Sequence, residues 1–114
     1  MNTYSIANLA ASAYLGGKGM GKLGSAFVCD EGTADIVAED GETTVLVSVS
    51  AKRQRGHEPK EPAFSEGKLL RIAMCYMIEH PEVAKLRFDV LEVLIGSNAT
   101  ATVSAVEGAY VWER

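Results

Sequence analysis

Cysteine and histidine are scarce in this sequence, with two of each among 114 residues. Cys29 and Cys75 are far apart and have no partners at zinc-ligand spacing. That argues against a zinc site or a disulfide framework and for buried thiols. His57 falls in a charged loop, and His80 stands before Pro81 at a helix end, where a charge–dipole role suffices. No Ser-His-Asp order, glycine-rich phosphate loop or metal-spaced His/Cys cluster occurs. No apolar run is long enough to span a bilayer. Met1 to Tyr14 lacks the basic start and continuous apolar middle of a signal peptide, so the expected location is the cytoplasm. Excess positive charge is missing as well. The net charge of −4 disfavours tight non-specific binding of nucleic acid, which Lys and Arg carry. What is present is ordinary for a globular protein: 47% hydrophobic and 23% charged residues, enough for one domain over 1–114 with a real core.

The most informative stretch runs from Gly32 to Lys52. Two alternating apolar runs meet at Asp40-Gly41, a strong hairpin signal because a type I′ turn needs positive φ at both central residues. With those two residues as the loop, Val37 faces Thr44 and Asp35 faces Leu46. Alternation then puts Ala34, Ile36, Ala38, Val45, Val47, Val49 and Ala51 on a core face. Asp35, Val37, Thr44, Leu46, Ser48, Ser50 and Lys52 share the other face, which is half polar. It reads as a solvated sheet face. Asp35, diagonal to Ser48, is the place on it where a site would fit.

Elsewhere, Thr3 to Leu15 has helical spacing at Ile6, Leu9, Ala10, Ala13 and Tyr14, with Asn2 or Thr3 to cap it and Gly16-Gly17 to end it. Lys22 to Cys29 reads as a strand. Arg53 to Pro62 is a charged loop broken by Gly56, Pro59 and Pro62. Phe64 to His80 is the strongest helix, with Leu69, Ile72, Ala73, Tyr76 and Met77 as its core stripe, Ser65 as its cap and Pro81 as its stop. Lys85 to Leu94 and Thr100 to Val106 read as strands around a Gly96-Ser97-Asn98 turn, and Ala109 to Trp112 as a packed tail. The expected fold is α/β in the order α-β-β-β-α-β-β, a mixed sheet of about five strands with two main helices.

Several pieces follow one another along the chain: Asn8-Leu9-Ala10-Ala11-Ser12-Ala13-Tyr14-Leu15, Gly32-Thr33-Ala34-Asp35-Ile36-Val37, Val47-Ser48-Val49-Ser50-Ala51-Lys52, Lys68 to Ala73, Arg87-Phe88-Asp89-Val90 and Ala109-Tyr110. Together they resemble the YraN-like family, small bacterial proteins of unestablished role with a restriction-endonuclease-like fold. The family pattern reads Glu-x-x-Ala-x-x-Tyr-Leu, Gly-Glu-Ile-Asp-Leu-Ile, Val-Glu-Val-Lys-x-Arg and Arg-Phe-Asp-Val. In such folds carboxylates hold Mg²⁺, which activates water, and a lysine assists.

This chain departs from that pattern where the chemistry lies. Asn8 stands for the helix Glu, Thr33 for the Glu of the second motif, and Ser48 and Ser50 for Glu and Lys of the third. Asp35 alone keeps its carboxylate, and one carboxylate among hydroxyls and an amide is a poor Mg²⁺ site. Lys52, one pleat repeat beyond Ser50, is a substitute for the lost lysine or simply the family's own basic residue there. The resemblance therefore implies a nuclease-like domain without catalysis that retains binding to nucleic acid or a partner, with Lys52, Arg53 and Arg55 as the cations for it. Two rivals stand beside this reading. One is an acidic interaction scaffold, homodimeric through a sheet edge or the second helix. The other is a metal-dependent nuclease with relocated ligands, Asp35 plus Glu66 or Asp89 and Lys52, the only reading that calls for Mg²⁺.

Overall fold

Asn2 starts the first helix as its sequence predicts: its side-chain oxygen accepts the Ser5 N–H at 2.8 Å. In the computed structural model, which describes residues 2–24, 26–53, 61–98 and 100–113, helix α1 spans Thr3–Gly17. The strands β1 (Gly21–Gly24), β2 (Phe27–Cys29), β3 (Gly32–Ala34), β4 (Ile36–Asp40) and β5 (Thr43–Arg53) follow, then α2 (Glu66–Glu79), β6 (Lys85–Ile95) and β7 (Ala101–Glu113). The main sheet has five strands in the order β1-β4-β5-β6-β7, and β2 and β3 form a separate pair. Among the described strands only β5 and β6 are parallel, joined across one face by α2. The result is an α/β domain with a mixed sheet and two helices, consistent with a restriction-endonuclease-like fold, although strand count and order match only approximately.

Each sheet face carries its own core. Ala7, Ala11 and Leu15 of α1 pack on Ile36, Ala38, Val45, Val47, Val49, Leu91 and Val93. The α1 stripe is thus rotated from the expected one, and Leu9 is 59% exposed. Alanines at i and i+4 let the helix lie close to a sheet rich in branched side chains, an advantage that a count of large apolar residues does not register. On the opposite face Leu69, Ile72, Ala73 and Tyr76 of α2 cover Val37, Leu46, Leu86, Phe88 and Val90. The α2 stripe is the expected one, and Ser65 caps the helix through its hydroxyl, which accepts the Lys68 N–H at 3.3 Å.

The hairpin differs from its prediction in an instructive way. Asp40 pairs with Thr43 and Val37 with Leu46, so the loop is Gly41-Glu42, with Gly41 at φ 60° as its first residue. That moves every pairing by two residues, which leaves the side-chain faces unchanged. The half-polar face is not solvated along its whole length, because α2 buries Val37 and Leu46. Ala34 joins the α2 core and Ala51 is exposed, both against expectation. The expected first strand is split into β1 and β2, and the tail continues β7 to Glu113. Of the charged loop, residues 54–60 lie outside the described residues.

Candidate functional site

The break between β3 and β4 falls on Asp35. Up to Ala34 the chain pairs with β2, and from Ile36 it pairs with β5. The Asp35 N–H still donates to the Val47 carbonyl at 2.7 Å. Beyond that point no described strand pairs with β5 on the β4 side, and the Asp35 carboxylate takes over: Oδ2 accepts the Val49 N–H at 2.7 Å. This satisfies a donor that would otherwise be left without an acceptor at the divergence of the strands. The other oxygen, Oδ1, accepts the Tyr4 hydroxyl at 2.9 Å. Ionising Tyr4 would forfeit that hydrogen bond and set two anions together, so its pKa is raised, first by the bond to Asp35, with burial and charge adding to it; a hydrogen bond with Asn8 opposes the shift.

Asp35 therefore touches the backbone residue between Ser48 and Ser50, and through Tyr4 it is linked to Asn8 one helical turn further along α1. Ser48 is half-buried and Ser50 exposed. Thr33 is exposed on β3, on the far side of the bend. Of the five positions matched to the nuclease pattern, Asn8 and Asp35 are linked through Tyr4 on the α1 side of the sheet, whereas Ser48 and Ser50 flank Val49 on β5 and alternate to the opposite face, so the expected sharing of one face by Asp35, Ser48 and Ser50 does not hold. Lys52 and Arg53 are exposed at the end of β5, and Arg55 lies outside the described residues. Tyr4 was missed in the sequence. Its signal is its i, i+4 spacing to Asn8, which puts both on one face of α1.

The two carboxylates proposed as relocated ligands are elsewhere. Glu66 is exposed in the first turn of α2, where an acid suits the helix dipole. Asp89 is 1% exposed on β6, with β5 lying between it and Asp35. Its Oδ1 accepts Arg87 Nε at 2.9 Å and the Gly108 N–H at 2.8 Å, and its Oδ2 accepts Arg87 Nη2 at 3.1 Å. Arg87 Nη1 donates to Asp40 at 3.0 Å. Burial alone would lower the Arg87 pKa, but its hydrogen bonds and ion pairs with Asp89 and Asp40 outweigh that and raise it. The Arg-Phe-Asp-Val motif is thus a clamp. It ties β6 to the end of β4 and to a bulge in β7 where Gly108 adopts φ 67°, a conformation that favours glycine.

A divalent ion fits this donor set poorly. Both oxygens of Asp35 already accept a short hydrogen bond, and the neighbouring groups are hydroxyls and an amide. Among the described residues no three His, Cys, Asp or Glu side chains converge as a metal would require. Mg²⁺ needs anionic oxygens in near-octahedral array to offset its dehydration.

The model of the uncharacterised protein family UPF0102 matches residues 7–93. A UPF0102 protein of Frankia casuarinae is 30% identical over 104 residues, covering 88% of each chain. One from Geotalea uraniireducens is 27% identical, covering 88% of this chain and 82% of its own. A third, from Acidothermus cellulolyticus, is 30% identical, covering 88% and 86%.

Proposed function

The chain belongs to the uncharacterised protein family UPF0102, and from that premise we propose that it is a nuclease-like domain that does not cut and that engages polynucleotides through the cations at the end of β5. The observation that carries the reading is the state of Asp35. It is the single carboxylate left at the matched positions, and it holds together the point where β3 leaves β5. A carboxylate used as a strand cap and as a tyrosine's acceptor serves architecture. With Ser48 and Ser50 at the two matched positions of β5, the chain lacks there both the negative charge that would attract a metal and the lysine that would assist water. Lys52 and Arg53 remain exposed just beyond it, and Arg55 follows in the chain. With a net charge of −4, binding would be weak, local and strongly salt-dependent.

The test is a titration of the purified protein against single-stranded, duplex and branched oligonucleotides at low and physiological salt, with parallel incubations in Mg²⁺ and Mn²⁺. The expected result is binding at low salt that fades as salt rises, without cleavage. Replacing Lys52, Arg53 and Arg55 together by Ala should weaken binding to all sequences alike and reduce the salt slope by about 1 per phosphate-contacting cation. Absence of binding at low salt would overturn the polynucleotide half of the proposal. Metal-dependent cutting abolished by Asp35→Ala would overturn the other half.

A further inference from the structure

We infer that the protein self-associates as a two-fold dimer through the outer edge of β7 and the adjoining apolar stripe of α2. This inference is independent of whether the protein binds nucleic acid. Leu70, Met74 and Ile78 recur at i, i+4 and i+8 on the side of α2 away from the core, and they are 37%, 51% and 77% exposed. With Met77, Tyr110 and Trp112 they line a groove between α2 and the end of β7. β7 is the last strand of the sheet, thirteen residues long, so beyond its outer edge no other strand follows among the described residues. The opposite edge, β1, is only four residues long.

Exposed edges are usually guarded by lysine, proline, a bulge or brevity. β7 has neither lysine nor proline, and its only charges are Glu107 and Glu113. Glu107 is also answered within the chain, by Lys18 at 3.6 Å. An edge guarded only by the bulge at Gly108, beside an apolar helix face, asks for a partner that supplies both a strand and an apolar surface next to it. A second copy supplies both. A two-fold axis perpendicular to the sheet sets the β7 strands antiparallel and keeps each sheet face on its own side. The two α2 helices then lie side by side, antiparallel, with stripe against stripe.

The three helix side chains alone expose roughly 300 Å² per copy, a substantial part of the roughly 800 Å² per partner of a standard interface, and pairing of the β7 edges adds to it. Apolar stripes of this size on a monomer commonly mark contact sites.

Sedimentation velocity and light scattering over a dilution series test the proposal, with hydrogen exchange of β7 as the second measurement. The wild type should show twice the 12.2 kDa chain mass, dissociating on dilution. The double variant Met74→Glu, Ile78→Glu should weaken the dimer by about tenfold or more. Its far-ultraviolet spectrum should be unchanged, because both positions are exposed, and exchange along β7 should rise. A wild type that stays monomeric throughout the series overturns the proposal. So does a dimer that persists undiminished in the double variant, and a dimer lost without any change in β7 exchange overturns the edge pairing.

Discussion

Replacing Asp89 by Ala removes three hydrogen bonds at once. The Arg87 side chain, 19% exposed, loses a two-pronged carboxylate partner, and the Gly108 N–H loses its acceptor. Breaking a buried ion pair from one side costs about 3–5 kcal/mol. Arg87 keeps Asp40 at 3.0 Å, which argues for the lower end of that range. An unsatisfied backbone donor at the β7 bulge adds about 1–3 kcal/mol. The expected loss is about 4 kcal/mol, a large share of the ~5–15 kcal/mol that holds a domain together. Urea unfolding followed by circular dichroism measures it, with Asp89→Asn expected at roughly half the loss because one acceptor oxygen remains. The double variant Arg87→Met, Asp89→Leu should be less damaged than Asp89→Ala, since no charge is left buried alone. A loss below about 1 kcal/mol for Asp89→Ala would refute the clamp. If the same variant kept its stability but lost a metal-dependent activity, Asp89 would be a ligand instead.

Three further outcomes follow from the geometry. Val47→Asp puts an unpaired charge into the fully buried α1 core and should cost more than about 4 kcal/mol or prevent folding, whereas Ser48→Asp, half-buried on the other face, should retain a cooperative unfolding transition; equal damage would contradict the face assignment. Ser48→Glu with Ser50→Lys, and Asn8→Glu added, should raise Mn²⁺ affinity by calorimetry without lowering the thermal midpoint, and no gain in affinity would show that these positions hold no latent metal site. Tyr4 has its folded-state pKa above its unfolded value of 10.0, so its contribution is fully present below pH 10 and is lost as pH rises through the raised value. The stability difference between wild type and Tyr4→Phe should therefore shrink in alkali, and a constant difference would argue against the bond to Asp35.

The helix α2, the hairpin and the two C-terminal strands were readable from local pattern, because each buries a continuous stripe with the period of its own secondary structure. The side-chain faces of β4 and β5 were readable even though the turn was misplaced, since a two-residue slip in pairing conserves parity. The departures of Asn8, Thr33, Ser48 and Ser50 from the nuclease pattern are facts of sequence order alone. Other features depended on contacts between distant segments. Whether Leu9 or Ala7 faces the sheet depends on how closely α1 approaches branched residues of β4, β5 and β6, which no window along α1 contains. Cys29 and Cys75 look unrelated in sequence, yet β2 and α2 bring their thiols into hydrogen-bonding contact, and that bond raises the Cys75 pKa. Burial of Val37 and Leu46 required knowing that α2 crosses that face between the parallel strands β5 and β6. The role of Asp35 required the most: a strand that leaves its partner, a backbone donor at Val49 and a tyrosine thirty-one positions away. Residue type can announce a carboxylate, but whether it is free to bind a metal or already occupied by the protein's own donors is decided by the folded neighbourhood.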